Sequence, residues 1–214
     1  MAMPTSDQSG NVPSHDTLAT SISEAAFSRS TMTEEQIHAI WAQPLVPLTG
    51  PIHLEEYNAE WPRLFEREAA RIRSILGERA LRIEHVGSTS VPGLAAKPRI
   101  DILLVVPNSA DEAAYIPPLE AAGYRLCIRE PDWYEHRVFK GPDTDINLHT
   151  FTAGSPEITR MLSFRDWLRS HPDDRDLYER TKRELATKEW KYTQQYADAK
   201  TSVVEAILSR ALGG

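Results

Sequence analysis

Four consecutive small residues, Gly87 to Ser90, come directly after a segment that alternates like a β-strand. Glycine permits a sharp turn there, and the amides and hydroxyls that follow can point into one concavity, as in an anion-binding nest. Lys97 adds a mobile positive charge, and Asp101 follows on the next predicted strand. Hydrogen-bond donors to phosphate, beside a carboxylate that could bind Mg²⁺, are what a complex of a metal ion with a nucleoside triphosphate needs. A plain Gly-Ser turn followed by a hydrogen-bonded aspartate explains the same residues.

A second group of polar side chains falls on a later predicted strand. Asp145, Asn147 and His149 alternate along the chain, so all three should face one side of that strand. Asp145 or Asn147 could share one metal ion with Asp101. His149 could act in the same site, and a purely structural role is equally open.

Basic residues elsewhere offer further contacts to an anion. Arg137 follows His136 and an aromatic pair, so it could contact a base or an acceptor, although such clusters often only pack at a surface. Lys182 and Lys200 could bring positive charge from the C-terminal helices towards phosphates. Acidic neighbours favour solvated positions for either lysine taken alone. His85, just before the turn, is interpreted as a hydrogen-bonded structural histidine.

These residues depend on a predicted order of helix, strands and then helices. Asn58 is a suitable N-cap for a helix that ends at Gly77. The predicted strands cover 81–86, 100–106, 124–128, 133–139 and 145–151. A further helix is predicted over 109–122, with a break or a new start at its two prolines. Residues from 155 onward are helical in pattern. An unbroken helix over 173–212 would be roughly 60 Å long, so we expect a break near Trp190 or Asp198.

Composition limits the class of protein. The 214 residues are 41% hydrophobic and 26% charged, which suffices for a core, and the net charge of −7 argues against a nucleic-acid surface. Cys127 is the single cysteine, so intramolecular disulfides and multi-cysteine zinc sites are excluded. The chain shows neither a membrane-spanning apolar run nor a signal-peptide pattern, so we expect a cytoplasmic protein.

The N-terminal region differs from the rest of the chain. Residues 1–32 are rich in Ser and Thr and are predicted to be a disordered tail. A capping box from Thr33 to Gln36 then predicts a short amphipathic helix, whose packing the sequence leaves open. We therefore divide the chain into this extension, 1–50, and a domain, 51–214.

The run from Glu84 to Pro98, with Ile100-Asp101-Ile102 after it, resembles the signature of the GrpB family, which belongs to the nucleotidyltransferase-fold superfamily. The resemblance covers roughly residues 52–210. Its downstream parts are Gly123-Tyr124, Asn147 to His149, Gly154 to Glu157, Phe164 to Arg169, and a Tyr-x-x-x-Lys spacing at Tyr178/Lys182 and Tyr196/Lys200. It implies an α/β (α+β) fold: a nucleotidyltransferase-like mixed sheet flanked by helices in a core, 51–153, followed by a C-terminal helical cap, 154–214.

The resemblance also implies a site. Gly87-Ser88 fits the superfamily's turn, Asp101 fits its first acid, and Asp145 could be its third. Leu103 stands where a second acid is expected, which makes two-metal chemistry doubtful. The candidate catalytic residues are Asp101, Asp145 and His149, and the two aspartates are the candidate ligands of Mg²⁺ or Mn²⁺. The candidate nucleotide-binding residues are Gly87, Ser88, Thr89, Ser90, Lys97, Arg137 and Lys200.

Two classes of function follow from the resemblance. The first is a nucleotidyltransferase that binds a nucleoside triphosphate, ATP by preference, and transfers its nucleoside monophosphate to an unknown small acceptor. An adenylate-forming ligase could use the same site. The second is a non-catalytic nucleotide- or partner-binding module with a degenerate site. Some family members are fused to dephospho-coenzyme A kinase, but this chain contains no kinase motif.

Overall fold

The computed structural model describes residues 31–213. Their strands are β1 (Arg82–Val86), β2 (Ile100–Val106), β3 (Arg125–Glu130), β4 (His136–Lys140) and β5 (Ile146–Thr152). They form one sheet in the order β1-β2-β5-β4-β3. The β2–β5 pair is parallel, and the other three pairs are antiparallel. The mixed sheet confirms the predicted α/β class.

Seven α-helices surround this sheet within the described residues. They are α1 (Glu34–Ile40), α2 (Glu60–Leu76), α3 (Ile116–Ala121), α4 (Pro156–Ser170), α5 (Pro172–Ala186), α6 (Thr193–Asp198) and α7 (Thr201–Leu212). The expected break in the C-terminal helix occurs at both suggested positions, between α5 and α6 and again after Asp198. None of the helices in residues 31–213 has the length and apolar character needed to cross a bilayer.

Alternation along β2 separates the two faces of the sheet. Ile100, Ile102 and Leu104 pack in a core that includes residues of α2 and α3. Asp101, Leu103 and Val105 therefore share the second face. Leu103 and Val105 pack there against Phe151 and residues of α4, whereas Asp101 stays partly accessible. The second face thus carries both a small apolar core and the residue that the sequence singles out.

Two predicted elements were partly wrong. The helix expected over 109–122 is reduced to a 3₁₀ turn and the short α3. The new start expected at its two prolines is confirmed, because prolines are tolerated in a first turn and occupy that position in α3. The strand expected from Trp133 begins instead at His136. Tyr134 and Glu135 both have a φ of 52°, which interrupts the extended backbone.

The capping box is confirmed, since Thr33 and Gln36 exchange the two expected hydrogen bonds at the start of α1. The helix packs on the domain, because Ile37 is fully buried. Beyond α1, Trp41 forms an antiparallel bridge with Ile128 of β3. The predicted disordered tail lies almost wholly outside the described residues.

Candidate functional site

A cavity of about 450 Å³ opens on the second face of the sheet. The sheet supplies its floor, residues 87–101 and the α5–α7 region supply walls, and the segment around α1 closes another side. Seven predicted site residues line it: Gly87, Ser88, Thr89, Lys97, Asp101, His149 and Lys200. The structure therefore brings together residues that are more than 100 positions apart in sequence.

Asp101 lies where the turn meets the sheet. Gly87 has a φ of 69°, and a Cβ there would overlap the Asp101 carboxylate, so the close approach requires glycine. Asn147 Nδ2 donates to Asp101 Oδ1 at 2.8 Å, and His149 Nε2 lies 3.7 Å from the same oxygen. Burial acts to raise the pKa of Asp101, but contacts with His149 and Asn147 and the charge of Lys97 outweigh it and lower the pKa to about 2. Asp101 is therefore an ionised carboxylate at neutral pH.

Four lysines, Lys97, Lys140, Lys182 and Lys200, line the same cavity. Burial, with the positive charge of Lys200 nearby, lowers the pKa of Lys97 to about 7. The same two causes lower the pKa of Lys182 to about 7. Burial also lowers the pKa of Lys140, whose Nζ donates to Asn147 Oδ1 at 2.6 Å. Ammonium groups crowded together in this way are stabilised by a bound anion.

The repeated Tyr-x-x-x-Lys spacing has a structural explanation. Lys182 Nζ lies 4.8 Å from the centroid of the Tyr178 ring, and Lys200 Nζ lies 4.8 Å from that of Tyr196. Lys97 Nζ also lies over the Tyr196 ring, at 5.0 Å. Each ring thus helps hold a cation at the cavity wall through a cation–π contact.

A chain of polar side chains leads from the interior of the protein to Asp101. Glu130 Oε2 lies 2.7 Å from His136 Nδ1, and His136 Nε2 lies 3.1 Å from His149 Nδ1. The two imidazole rings are parallel to within 4°. His149 thus lies between two polar groups, with its Nδ1 towards His136 and its Nε2 towards Asp101. These contacts fix the orientation of His149.

Three predicted site residues are placed outside the cavity. Ser90 is buried, and its hydroxyl donates to the Gly87 carbonyl at 2.6 Å, so it shapes the turn. Arg137 lies on the opposite side of β4 from His136 and pairs with Glu112 and Glu135. Asp145 accepts from Arg99 Nε at 2.8 Å and is not among the residues that line the cavity. His85 is buried and bonds to Thr89, in keeping with a structural role.

The donor set fits a two-metal centre poorly. Leu103, at the expected second acid position, is fully buried, and the Asp145 carboxylate is directed to Arg99. Within residues 31–213, no three His, Cys, Asp or Glu side chains are grouped as metal ligands. Asp101 is the one predicted ligand that faces the cavity.

Sequence reasoning did not single out Lys140, Arg99 or Trp41, all of which line the cavity. Lys140 shares a strand face with His136 and Val138, so alternation in β4 is a signal that could have pointed to it. Trp41 belongs to the extension, and it is brought to the cavity by its bridge to Ile128, which lies far away in sequence. No pattern in the sequence indicates that contact.

The family model described as "GrpB protein" matches residues 51–210, and the chain therefore belongs to the GrpB family. A UPF0157 protein of Halalkalibacterium halodurans is 62% identical over 179 residues, which cover 84% of this chain and 92% of that protein. The crystal structure of the conserved protein GrpB from Enterococcus faecalis is similar, with a TM-score of 0.67 and 34% identity. The similarity covers 75% of this chain and 98% of that one.

A dephospho-CoA kinase of Mycolicibacterium paratuberculosis is a more distant relative. It is 30% identical over 185 residues, which cover 70% of this chain but only 46% of that protein. The chain thus resembles one part of that longer enzyme.

Proposed function

We propose that this protein binds a nucleoside triphosphate, ATP in the first instance, in the cavity at Asp101. The observation that carries the proposal is the convergence of Lys97, Lys140, Lys182 and Lys200 on one cavity beside the Gly87-Ser88 turn. These residues come from the loop before β2, from β4, from α5 and from the start of α7. A cluster assembled from four separate elements is stronger support for an anion-binding site than a run of lysines on one exposed surface.

The charge balance of the cavity supports a polyanion. With Arg99, which pairs with Asp145, five basic side chains line it, against the carboxylates of Asp101 and Glu130. Glu130 is held by His136. Burial has already removed much of the solvation of Lys97 and Lys182, so phosphate oxygens would interact with them more strongly than at an exposed site. The volume of about 450 Å³ is in the range of small-molecule cavities.

Transfer of a nucleoside monophosphate to a small acceptor is the second candidate, and the ionised Asp101 beside the lysines favours it. That reaction would use Mg²⁺ or Mn²⁺, for which Asp101 supplies one carboxylate. Because Leu103 and Asp145 do not complete a set of ligands, we derive no catalytic step. Binding without transfer needs only the residues already in the cavity.

Titration calorimetry of the full chain with ATP, GTP, CTP, UTP and inorganic tripolyphosphate tests the proposal. We expect Lys97→Ala to weaken nucleotide affinity about tenfold or more, the order expected for losing one partly buried charge contact. Lys188→Ala is the matched control, because Lys188 is exposed and does not line the cavity. Failure of all five ligands to bind at millimolar concentration would overturn the proposal.

Asp101→Asn separates the two candidates by the sign of its effect. Without metal, the substitution removes a negative charge from the phosphate site, so affinity should rise. If Mg²⁺ binds between Asp101 and the phosphates, affinity in Mg²⁺ should fall instead. Pyrophosphate release from each nucleotide with a metabolite pool, abolished in Asp101→Asn, would establish transfer. Dephospho-CoA belongs in the ligand panel because a relative carries the name of the kinase.

A further inference from the structure

We infer that the segment from Ile37 to Leu48 forms a binding site for the base of the nucleotide, whose phosphates lie on the lysines. This inference rests on the proposed function and adds the part of the ligand that the phosphate site leaves unassigned. The segment lies outside residues 51–210, which match the family model.

The cavity is apolar on the side of this segment. Six apolar side chains line it there: Ile37, Trp41, Leu45, Val46, Leu54 and Ile128. Val46, at the rim of this wall, is 78% exposed. An inorganic polyphosphate would leave this surface in water, whereas a ligand with a flat apolar part would cover it.

The spacing suits a nucleotide. Trp41 pairs with Ile128 on β3, and Asp101 lies on β2. In the order β2-β5-β4-β3, the edge strand β3 is three intervals from β2, and the Trp41 segment lies one interval further out. Four intervals amount to about 19 Å at the usual distance between strands. A nucleoside triphosphate extends over a comparable length from its last phosphate to its base, so phosphates near Asp101 would leave the base near Trp41.

The Trp41 ring is the part of this wall that suits a base. Trp41 is half-buried and lines the cavity, whereas its indole Nε1 is buried and is not reached by a ligand in the cavity. The faces of bases stack on aromatic rings. A planar heterocycle therefore fits Trp41 better than an acyl group does.

Backbone contacts hold the segment in place. Ala42 N donates to the Cys127 carbonyl of β3 at 2.9 Å, and Leu48 N donates to the Lys191 carbonyl at 2.9 Å. The segment is therefore attached to the sheet edge on one side and to the loop before α6 on the other. Because both ends are fixed, Trp41 is held in position before a ligand arrives.

The test compares affinities for ATP and tripolyphosphate in the full chain and its variants. We expect Trp41→Ala to weaken ATP binding about tenfold or more, the usual cost of losing one base–aromatic stack, while tripolyphosphate affinity changes less than twofold. Trp41→Phe keeps a smaller ring for stacking, so its ATP affinity should lie between those of the wild type and Trp41→Ala. Lys97→Ala should weaken both ligands. Leu81→Ala is a control at an exposed apolar residue away from the cavity, and it should weaken neither.

The outcomes distinguish this inference from the proposed function. Equal losses for ATP and tripolyphosphate in Trp41→Ala, or unchanged ATP affinity, would overturn the base site and leave the phosphate site standing. If the wild type binds ATP no more tightly than tripolyphosphate, the base site is likewise overturned and the phosphate site still stands. If neither ligand binds, both proposals fail. Thermal unfolding of each variant shows whether a loss reflects misfolding, and Trp41→Phe then provides the comparison in a nearly unaltered fold.

Discussion

Close packing between the turn and the carboxylate at Gly87 makes that position a sensitive point of the site. Gly87 combines a φ of 69° with a ψ of −174°, a region that side chains rarely enter. A methyl group there would also lie about 3.0 Å from the Asp101 Cβ and Cγ. The turn and Asp101 therefore cannot change independently.

We predict that Gly87→Ala destabilises the protein more than Gly93→Ala does, by about 1–3 kcal/mol, because only the first adds an overlap to the backbone strain. Gly93 has a φ of 78° and open space around its Cα, so it isolates the strain alone. Urea unfolding of both variants measures the difference. Equal free energies of unfolding would mean that the turn can move away from Asp101.

The lowered pKa of Lys97 predicts that anion binding weakens as the pH rises. Lys97 is about half protonated at pH 7 and nearly neutral at pH 9, whereas phosphates, with a second pKa of about 6, stay charged throughout. The groups that act on Lys97 are Lys200, Arg99, Asp101 and Lys140. Tripolyphosphate affinity should therefore fall about tenfold or more between pH 7 and pH 9.

Lys97→Arg is the matched variant for this pH dependence, because a guanidinium stays charged over the whole range. Its tripolyphosphate affinity should decline less steeply than that of the wild type. The decline should not vanish, since Lys182 also has a pKa of about 7. Identical pH profiles for the two proteins would contradict the role assigned to Lys97.

Among the elements, α5 determines where the loop before β2 lies. Glu179 Oε2 accepts from Ala95 N at 3.0 Å, and Lys182 Nζ donates to the Ala95 carbonyl. One residue of the loop is thus held through both of its backbone groups. Lys97, two residues later, owes its position partly to this contact.

We predict that Glu179→Ala lowers the free energy of unfolding by about 1–3 kcal/mol, because the buried Ala95 amide loses its acceptor. Glu179→Gln retains an acceptor and should recover most of the loss. Arg183→Ala removes the exposed partner of Glu179 and should cost at most about 1 kcal/mol. Hydrogen exchange of the Ala95 amide, measured by NMR, should be faster in Glu179→Ala than in the wild type, and unchanged in Glu179→Gln and Arg183→Ala. An unchanged exchange rate in Glu179→Ala would contradict the contact.

The elements differ in how far the sequence predicts them. The strand β2 was predicted with its observed bounds because a continuous apolar run with one aspartate is characteristic of a central strand. The start of β4 was not predicted correctly. The positive φ values at Tyr134 and Glu135 belong to a turn that contains no glycine, so the sequence pattern does not indicate it. Local patterns predict elements well where burial is simple, and less well where tertiary packing imposes a turn.

The candidate site divides in the same way. Gly87, Lys97 and Asp101 are close in sequence, so their neighbourhood could be inferred from a turn and a strand. Lys140 and Trp41 reach the cavity only through the pairing of β4 with β5 and of Trp41 with β3. Alternation indicates which face a residue takes but not which distant element covers that face. The basic character of the cavity was therefore underestimated.

At the scale of the whole molecule, the net charge of the chain is negative, whereas the charged side chains of the cavity are mostly positive. The full chain carries −7, yet five basic and two acidic side chains line the cavity. The net charge is a sum over the whole chain. It gives no information about the field inside a single concavity, which depends on a few groups at short range.

Docking of α1 on the body predicts a local transition. Ile37 is fully buried, whereas Ala39 on the same helix is exposed. Ile37→Asp should release the segment from Ile37 to Leu48 and expose it to limited proteolysis, because an unpaired charge cannot be buried there. Ala39→Asp places the same charge in water and should leave the segment protected.

The same pair of variants links the segment to the ligand. If the segment holds the base, Ile37→Asp should reduce ATP affinity as strongly as Trp41→Ala, while Ala39→Asp should not. The core around α2 and β2 contains neither residue, so both proteins should remain folded by circular dichroism. Proteolytic protection of Ile37→Asp equal to that of the wild type would show that α1 docks independently of Ile37.

The bridge between Trp41 and Ile128 has a consequence for solubility. Strands β1 and β3 are the two edges of the sheet, and an open edge can pair with an edge of another molecule and start aggregation. β1 is short and carries Arg82 and Glu84, which discourage such pairing. β3 is protected in a different way, because the chain after α1 occupies part of its free side. The extension thus covers part of the second edge of the sheet, which the charges of β1 do not protect.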